Sequence, residues 1–256
     1  MSVGAIVAIE GPSAAGKSAV SLAAGALSGG ATLPEAYVRL GRRVPLEYRS
    51  SPELVRIERR LLREDVRRWR QARDLARQGR TVYLDTGVFG TLTYTWGLVE
   101  LGRARPVALS AIGGSVDRAL RSGRLGLPDR IAFIDTPPSV RRRRARQSPE
   151  GHPARLDELH ARVGELERVL WSDRWGPLLG SRLVRIDGRE SVARIARRLA
   201  RIGSLPRTRT ARTGGGSDRH LLLALLRSLP RSRGRDGGAA SGQPLCGVSD
   251  LGAAPR

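Results

Sequence analysis

The stretch "GAIVAIEGPSAAGKSAV" (residues 4–20) decides how the rest of the chain is read. Its first six residues are short, uncharged and apolar, as a strand buried on both faces requires. "GPSAAGKS" (11–18) then fits the spacing G-x-x-x-x-G-K-[ST], and a helix is expected from Lys17 to about Leu27, ahead of "SGG". Strand, loop and helix in that order make an anion cradle. Gly11 and Gly16 allow a tight turn, the backbone N–H groups along Pro12, Ser13, Ala14 and Ala15 face inward where they exist, and the positive end of the helix adds to them. Ser18 can offer its hydroxyl to Mg2+, and Lys17 brings an ammonium to the β- and γ-phosphate oxygens.

Lys17 is also the only lysine. The chain holds 46 basic residues, of which 45 are arginine. A guanidinium is wide, flat and forked, whereas the inside of the loop calls for a compact charge on a slender stem. The lone lysine therefore marks a place where arginine fails, and ATP with Mg2+ is the expected ligand pair. A guanine-reading Asn-Lys-x-Asp motif would need a second lysine, which sets GTPases aside.

Outward from the loop, strands and helices alternate. "GATLPEA" (30–36) holds a second strand, with Glu35 near its end. Ser51 as N-cap, Pro52 in the first turn and apolar residues recurring from Leu54 to Ala76 predict a long helix ending at Gly79. "TVYLD" (81–85) is a third buried strand, and "GVFGTLTYTWGLVEL" opens another helix. After a looser stretch, "RIAFID" (130–135) is a strand and "TPPSVRRRRARQ" (136–147) turns into an arginine-rich helix. "ARLDELHARVGELERVLW" (154–171) is helical, "SRLVRID" (181–187) is the last strand and "SVARIARRLARI" (191–202) the last helix. This pattern predicts an α/β fold with three α/β/α layers and a five-stranded parallel sheet over residues 1–202.

From Gly203 the composition shifts to Arg, Gly, Ser and Pro, and residues 203–256 are expected to be mostly disordered. "HLLLALLRSLP" (220–230) can form one short amphipathic helix there, docked on another surface. The formal charge of +22 invites nucleic acid, and this tail would be the contact. An aromatic share of 4% and the lack of helix-turn-helix or zinc-finger spacing weigh against it. Cys246 is the only cysteine and His152, His160 and His220 are scattered, so neither a disulfide framework nor a His/Cys metal site is expected. No apolar run approaches the roughly 18–20 residues of a spanning helix. A cytoplasmic protein is the expectation, with a homodimer left open.

These residues resemble the nucleoside and nucleotide kinase group of P-loop proteins, thymidylate kinases above all. "IAIEGPSAAGKS" looks like the opening of those enzymes, and "EAYVRL" places Glu35 where they carry an acid after the second strand. "ARQGRTVYLDTGVFGTLTY" resembles their long helix, strand, Asp and acceptor-site helix. "LPDRIAFIDTPPSVRRRRARQ" is similar to the strand that leads into their lid, here near residues 141–155. The resemblance covers about residues 3–202. It departs at Thr86, where thymidylate kinases usually follow the Asp with Arg. "YLDTG" is itself similar to cytidylate kinases, which carry it after the second strand.

The resemblance implies transfer of the ATP γ-phosphate to a small acceptor, a nucleoside or nucleotide, with an antibiotic or sugar as variants. Lys17, Asp85 and Arg144 would be catalytic, with Arg141 and Arg146 as alternates to Arg144. Glu35 and Asp85 would meet the acceptor. Competing roles are a helix N-cap for Asp85, a plain surface acid for Glu35 and a solvated basic helix for the arginines. A regulatory or nucleic-acid-associated ATPase is the alternative from another class.

Overall fold

Crossovers as long as those between the apolar runs pair strands in parallel, and the computed structural model bears this out. It describes residues 3–41, 48–87, 89–147 and 154–205, together with 220, 221, 224, 225, 227 and 228. The strands are β1 (Ile6–Glu10), β2 (Ala31–Leu33), β3 (Val82–Asp85), β4 (Arg130–Asp135) and β5 (Leu183–Asp187). They form one all-parallel sheet in the order β2-β3-β1-β4-β5. β1 is at the centre and buried throughout. Its register sets Ile9 opposite Asp85 on one side and Glu10 opposite Phe133 on the other. The C-terminal ends of β1, β3 and β4 thus open on one edge, where sheets of this kind bind ligands.

Side chains alternate across the sheet. Val7, Ile9, Tyr83, Ala132 and Ile134 pack with α1 (Lys17–Ser28) and α9 (Val192–Ser204). Ile6, Ala8, Leu84, Ile131 and Phe133 face the other way, into the larger core. That core is closed by α3 (Ser51–Arg77), α4 (Phe89–Glu100), α5 (Pro106–Arg121) and the turns around Trp171 and Trp175. Phe89, Phe133, Trp171 and Trp175 meet at ring-centroid distances of 4.8–5.7 Å. The remaining helices are α2 (Ala36–Arg39), α6 (Pro138–Arg146), α7 (Ala154–Val169) and α8 (Trp175–Leu179). Among the described residues, no helix is long and apolar enough to cross a membrane.

Two local readings change. The cap of α3 is Ser50, whose hydroxyl accepts from the Glu53 N–H at 3.3 Å. Ser51 is already helical, and its Oγ accepts from the Arg105 N–H at 3.0 Å. The looser stretch contains α5, whose apolar stripe is thinned by Gly113 and Gly114. Finally, the described residues of 220–228 are helical and join the main core. Leu225 is fully buried, and the Trp175 indole N–H donates to its carbonyl at 3.2 Å. The disorder expected for the rest of 203–256 lies outside the described residues from 206 on, apart from that segment, as do lid positions 148–153.

Candidate active site

The loop between β1 and α1 curls as its glycines permit. Gly11 has φ 144°, and a Cβ there would stand 2.8 Å from the Ile134 carbonyl oxygen, so the chain passes too close to β4 for any side chain. Gly16 has φ 92° and leads into α1 without a side-chain cap, leaving the first N–H groups of the helix available. The Lys17 ammonium folds back into the curl and donates to the carbonyls of Gly11 (2.8 Å) and Pro12 (3.2 Å). Ser18 is exposed at the end of the loop.

Arg144, on α6, bridges this loop to the β5–α9 turn. Its Nη1 donates to the Ala15 carbonyl at 2.8 Å and its Nη2 to the Gly188 carbonyl at 2.9 Å. Arg141 is buried and bonded to the His160 and Ala161 carbonyls of α7, a tether rather than a free fork. Arg146 is exposed. Gly188 packs against Thr136: a Cβ on it would strike the threonine side chain and stand 2.8 Å from its Cα. The Gly188→Ala variant is expected to lose about 1–3 kcal/mol of stability, as overpacked sites do, because the opposing atoms include backbone. Urea unfolding checks this, and an unchanged midpoint would mean that the turn shifts freely. Outside Arg144, a cleft of about 430 Å³ is lined by Asp135, Pro137, Arg168, Arg185, Ile186, Asp187 and Arg189. Within it, Asp135 bridges Arg168 (2.7 Å) and Arg185 (3.0 Å).

On the other side of Lys17 the strand ends form a crevice. Asp85 is 3% exposed, and its Oδ1 has no hydrogen-bond partner among the described residues. α4 starts four residues later, so Asp85 is not its cap. Thr86 adopts φ 58°, a left-handed conformation unfavourable for a β-branched residue. Arg68, on α3 and 2% exposed, holds this bend. Its Nη2 donates to the carbonyls of Asp85 (2.8 Å), Thr86 (2.9 Å) and Leu33 (3.3 Å), and its Nη1 pairs with Asp65. A cavity of about 20 Å³ beside Arg68, Asp65 and Gly87 is large enough for one water. The Arg68 Nε has no other partner among the described residues.

Glu35 occupies the N-cap position of α2 but makes no cap bond, so its half-buried carboxylate stays available. Burial raises its pKa, opposed by the field of Lys17 and reinforced by that of Asp85. Four further groups escaped the sequence reading. Glu10 accepts from the Gly87 N–H at 2.8 Å, and Glu58 from the Tyr48 hydroxyl at 3.0 Å. Glu167 of α7 accepts from the Thr93 hydroxyl at 2.9 Å, and Arg68 is the fourth. Burial pushes the pKa of both Glu10 and Glu58 up to about 8, and raises that of Glu167.

A carboxyl whose pKa rises on folding binds its proton more tightly in the native state. Its contribution is complete below the ordinary value of 4.5 and is lost as pH climbs through about 8. The melting temperature should therefore fall less between pH 5 and 8 in the Glu10→Gln variant than in the wild type. Parallel profiles would show that Glu10 is ionised in the native protein.

No protein-family model matches the sequence, and no curated protein matches it. Solved structures do. Deoxyadenosine kinase from M. mycoides, with products dCMP and a flexible dCDP bound, has a TM-score of 0.58 to this chain at 12% identity, covering 78% of this chain and 100% of the kinase. The same kinase with dATP gives 0.57 at 12% identity over 77% and 98%, and with dCTP 0.52 at 11% identity over 78% and 100%. The likeness is one of fold, an α/β architecture built on a five-stranded all-parallel sheet.

Proposed function

We propose that this chain is an ATP-dependent phosphotransferase that moves the γ-phosphate of ATP to a hydroxyl of a small acceptor of the nucleoside or nucleotide kind. The observation that carries this reading is the placement of Lys17. Its ammonium lies inside a glycine-bracketed curl at the start of α1, and the neighbouring strand β3 ends in buried Asp85, whose Oδ1 has no hydrogen-bond partner among the described residues. In this reading the loop N–H groups of residues 13–18 cradle the β-phosphate and Lys17 reaches the outer oxygens. Arg144, already spanning the loop and the β5–α9 turn, clamps the nucleotide from the lid side.

The residues present suit Mg2+. Such an ion on a triphosphate takes only one or two protein oxygens, and Ser18 and Asp85 offer an exposed hydroxyl and a free carboxylate oxygen. When bound, it neutralises charge across the β- and γ-phosphates. In this reading Asp85 also takes the proton of the attacking hydroxyl, and Glu35 accepts a hydrogen bond from the acceptor. The fold supports this reading by analogy alone.

Incubation with Mg-ATP and a panel of nucleosides, nucleoside monophosphates, sugars and antibiotics, with products read by mass spectrometry, tests it. Phosphorylation of at least one acceptor with ADP release is expected. ATP binding without transfer to any of them would overturn the reading.

A further inference from the structure

The net charge of +22 is distributed unevenly over the fold. Lys17 is the one basic residue of α1 and α4 has none, whereas α3 carries nine arginines. The inward-facing Arg68 is one of them; the other eight, from Arg56 to Arg77, are all exposed. They recur mostly three or four residues apart, so they share one face as a stripe about 30 Å long. Asp74 is the one exposed acid of α3. Ion pairs hold three of the eight, Arg56 with Glu53 (3.6 Å), Arg67 with Glu64 (3.0 Å) and Arg77 with Asp74 (2.9 Å). α5 packs alongside and widens the face. The Arg59 Nε and the Arg118 Nη2 both donate to the Ser115 hydroxyl oxygen, at 3.3 and 3.2 Å. The Arg73 Nη1 donates to the Gly123 carbonyl at 3.2 Å, next in the chain to the exposed Arg124. These acceptors are neutral, so they hold the guanidiniums in place without cancelling their charge.

Like charges one turn apart on a helix repel, and two guanidiniums converging on one hydroxyl repel further. An anion that spans the face relieves both. A duplex nucleic acid carries one negative charge for about every 1.7 Å of its axis, so it matches the stripe along its whole length, and each planar fork can bond two phosphate oxygens. The only aromatic residue of α3, Trp69, is buried, which leaves this helix no platform for the unstacked bases of a single strand. The apolar stripe of α3 is turned into the core, and none of its large apolar side chains is exposed, so it has nothing to insert into a bilayer surface. We propose that the α3–α5 face docks the phosphate backbone of a double-stranded nucleic acid without reading its sequence. The contact depends neither on the phosphotransfer reading nor on the arginine-rich tail.

Fluorescence anisotropy of a labelled mixed-sequence duplex, titrated with the full chain between about 50 and 200 mM NaCl, tests this. The plot of log affinity against log salt should have a slope of about −4.5 or steeper, the value for five phosphates. Arg59→Gln, Arg63→Gln and Arg70→Gln combined should flatten that slope by about 3, near 1 for each lost contact. At about 100 mM salt the same variant should bind at least about tenfold more weakly. Glutamine suits a helix nearly as well as arginine, and circular dichroism verifies the fold. Arg207→Gln, Arg209→Gln and Arg212→Gln combined remove equal charge from the tail and should leave slope and affinity near the wild type. Absent or salt-insensitive binding, an α3 variant that binds as the wild type does, or a tail variant that loses as much would each overturn the proposal. So would tighter binding to a single strand of equal length, or to phosphatidylserine vesicles in place of the duplex.

Discussion

Replacing Lys17 by alanine is expected to lower phosphoryl transfer by about 10²–10³-fold, the range seen when one preorganised electrostatic contact to a reacting group is removed. The arginine variant should fare little better. Lys17 reaches the Gly11 and Pro12 carbonyls through the inside of the loop, and a guanidinium there would have to fit its planar fork between backbone segments already drawn close by Gly11 and Gly16. Both variants should keep the fold, because the ammonium packs against the loop rather than within either core. Nucleotide titration by calorimetry and steady-state assay would check this. Undiminished affinity and turnover in the arginine variant would mean that the loop does not hold a triphosphate in the way described.

Asp85→Asn should reduce kcat by about 10²-fold or more, the scale of a lost general base or metal-supporting group, with a smaller change in the KM for ATP. The substitution is nearly isosteric, and Arg68 bonds the backbone of Asp85 rather than its side chain, so the bend at Thr86 survives. The same measurement separates the two roles open to this carboxylate. If Asp85 supports the metal, raising Mg2+ should recover much of the lost rate; if it takes the proton, added Mg2+ changes nothing and the pH dependence of kcat flattens. Wild-type turnover would remove Asp85 from the site.

The sheet was legible in the sequence because parallel strands covered on both faces leave uninterrupted apolar runs, and all five were found within a few residues. The loop was legible because its geometry demands particular residue types at fixed spacing. The crevice was legible only in part. Asp85 could be placed because it ends β3, and Glu35 because it follows β2 by two residues. Arg68, Asp65 and Glu58 left a trace that was available: they fall on the apolar stripe of α3, among Leu54, Ile57, Leu62, Trp69 and Ala72, where a solvated charge has no reason to be. Glu10 lay in plain sight beside the loop, yet its burial follows from Gly87, 77 residues away and brought alongside by the β1–β3 pairing. Nothing local marks Glu167, since its role depends on how α7 lies against α4. The mistaken cap at α3 reflects two adjacent serines with equal chemistry, which only the backbone conformation of Ser50 distinguishes.

The seating of Leu225 beside Trp175 has a practical corollary. Trp175 gives its indole hydrogen to the Leu225 carbonyl and to the Ser228 hydroxyl at 3.1 Å, and its ring touches Phe89, the first residue of α4. A chain ending at Ser204 would uncover that indole, and its emission should shift to longer wavelength. The same fluorophore, at the foot of the helix that borders the crevice, offers an intrinsic optical reporter of acceptor binding.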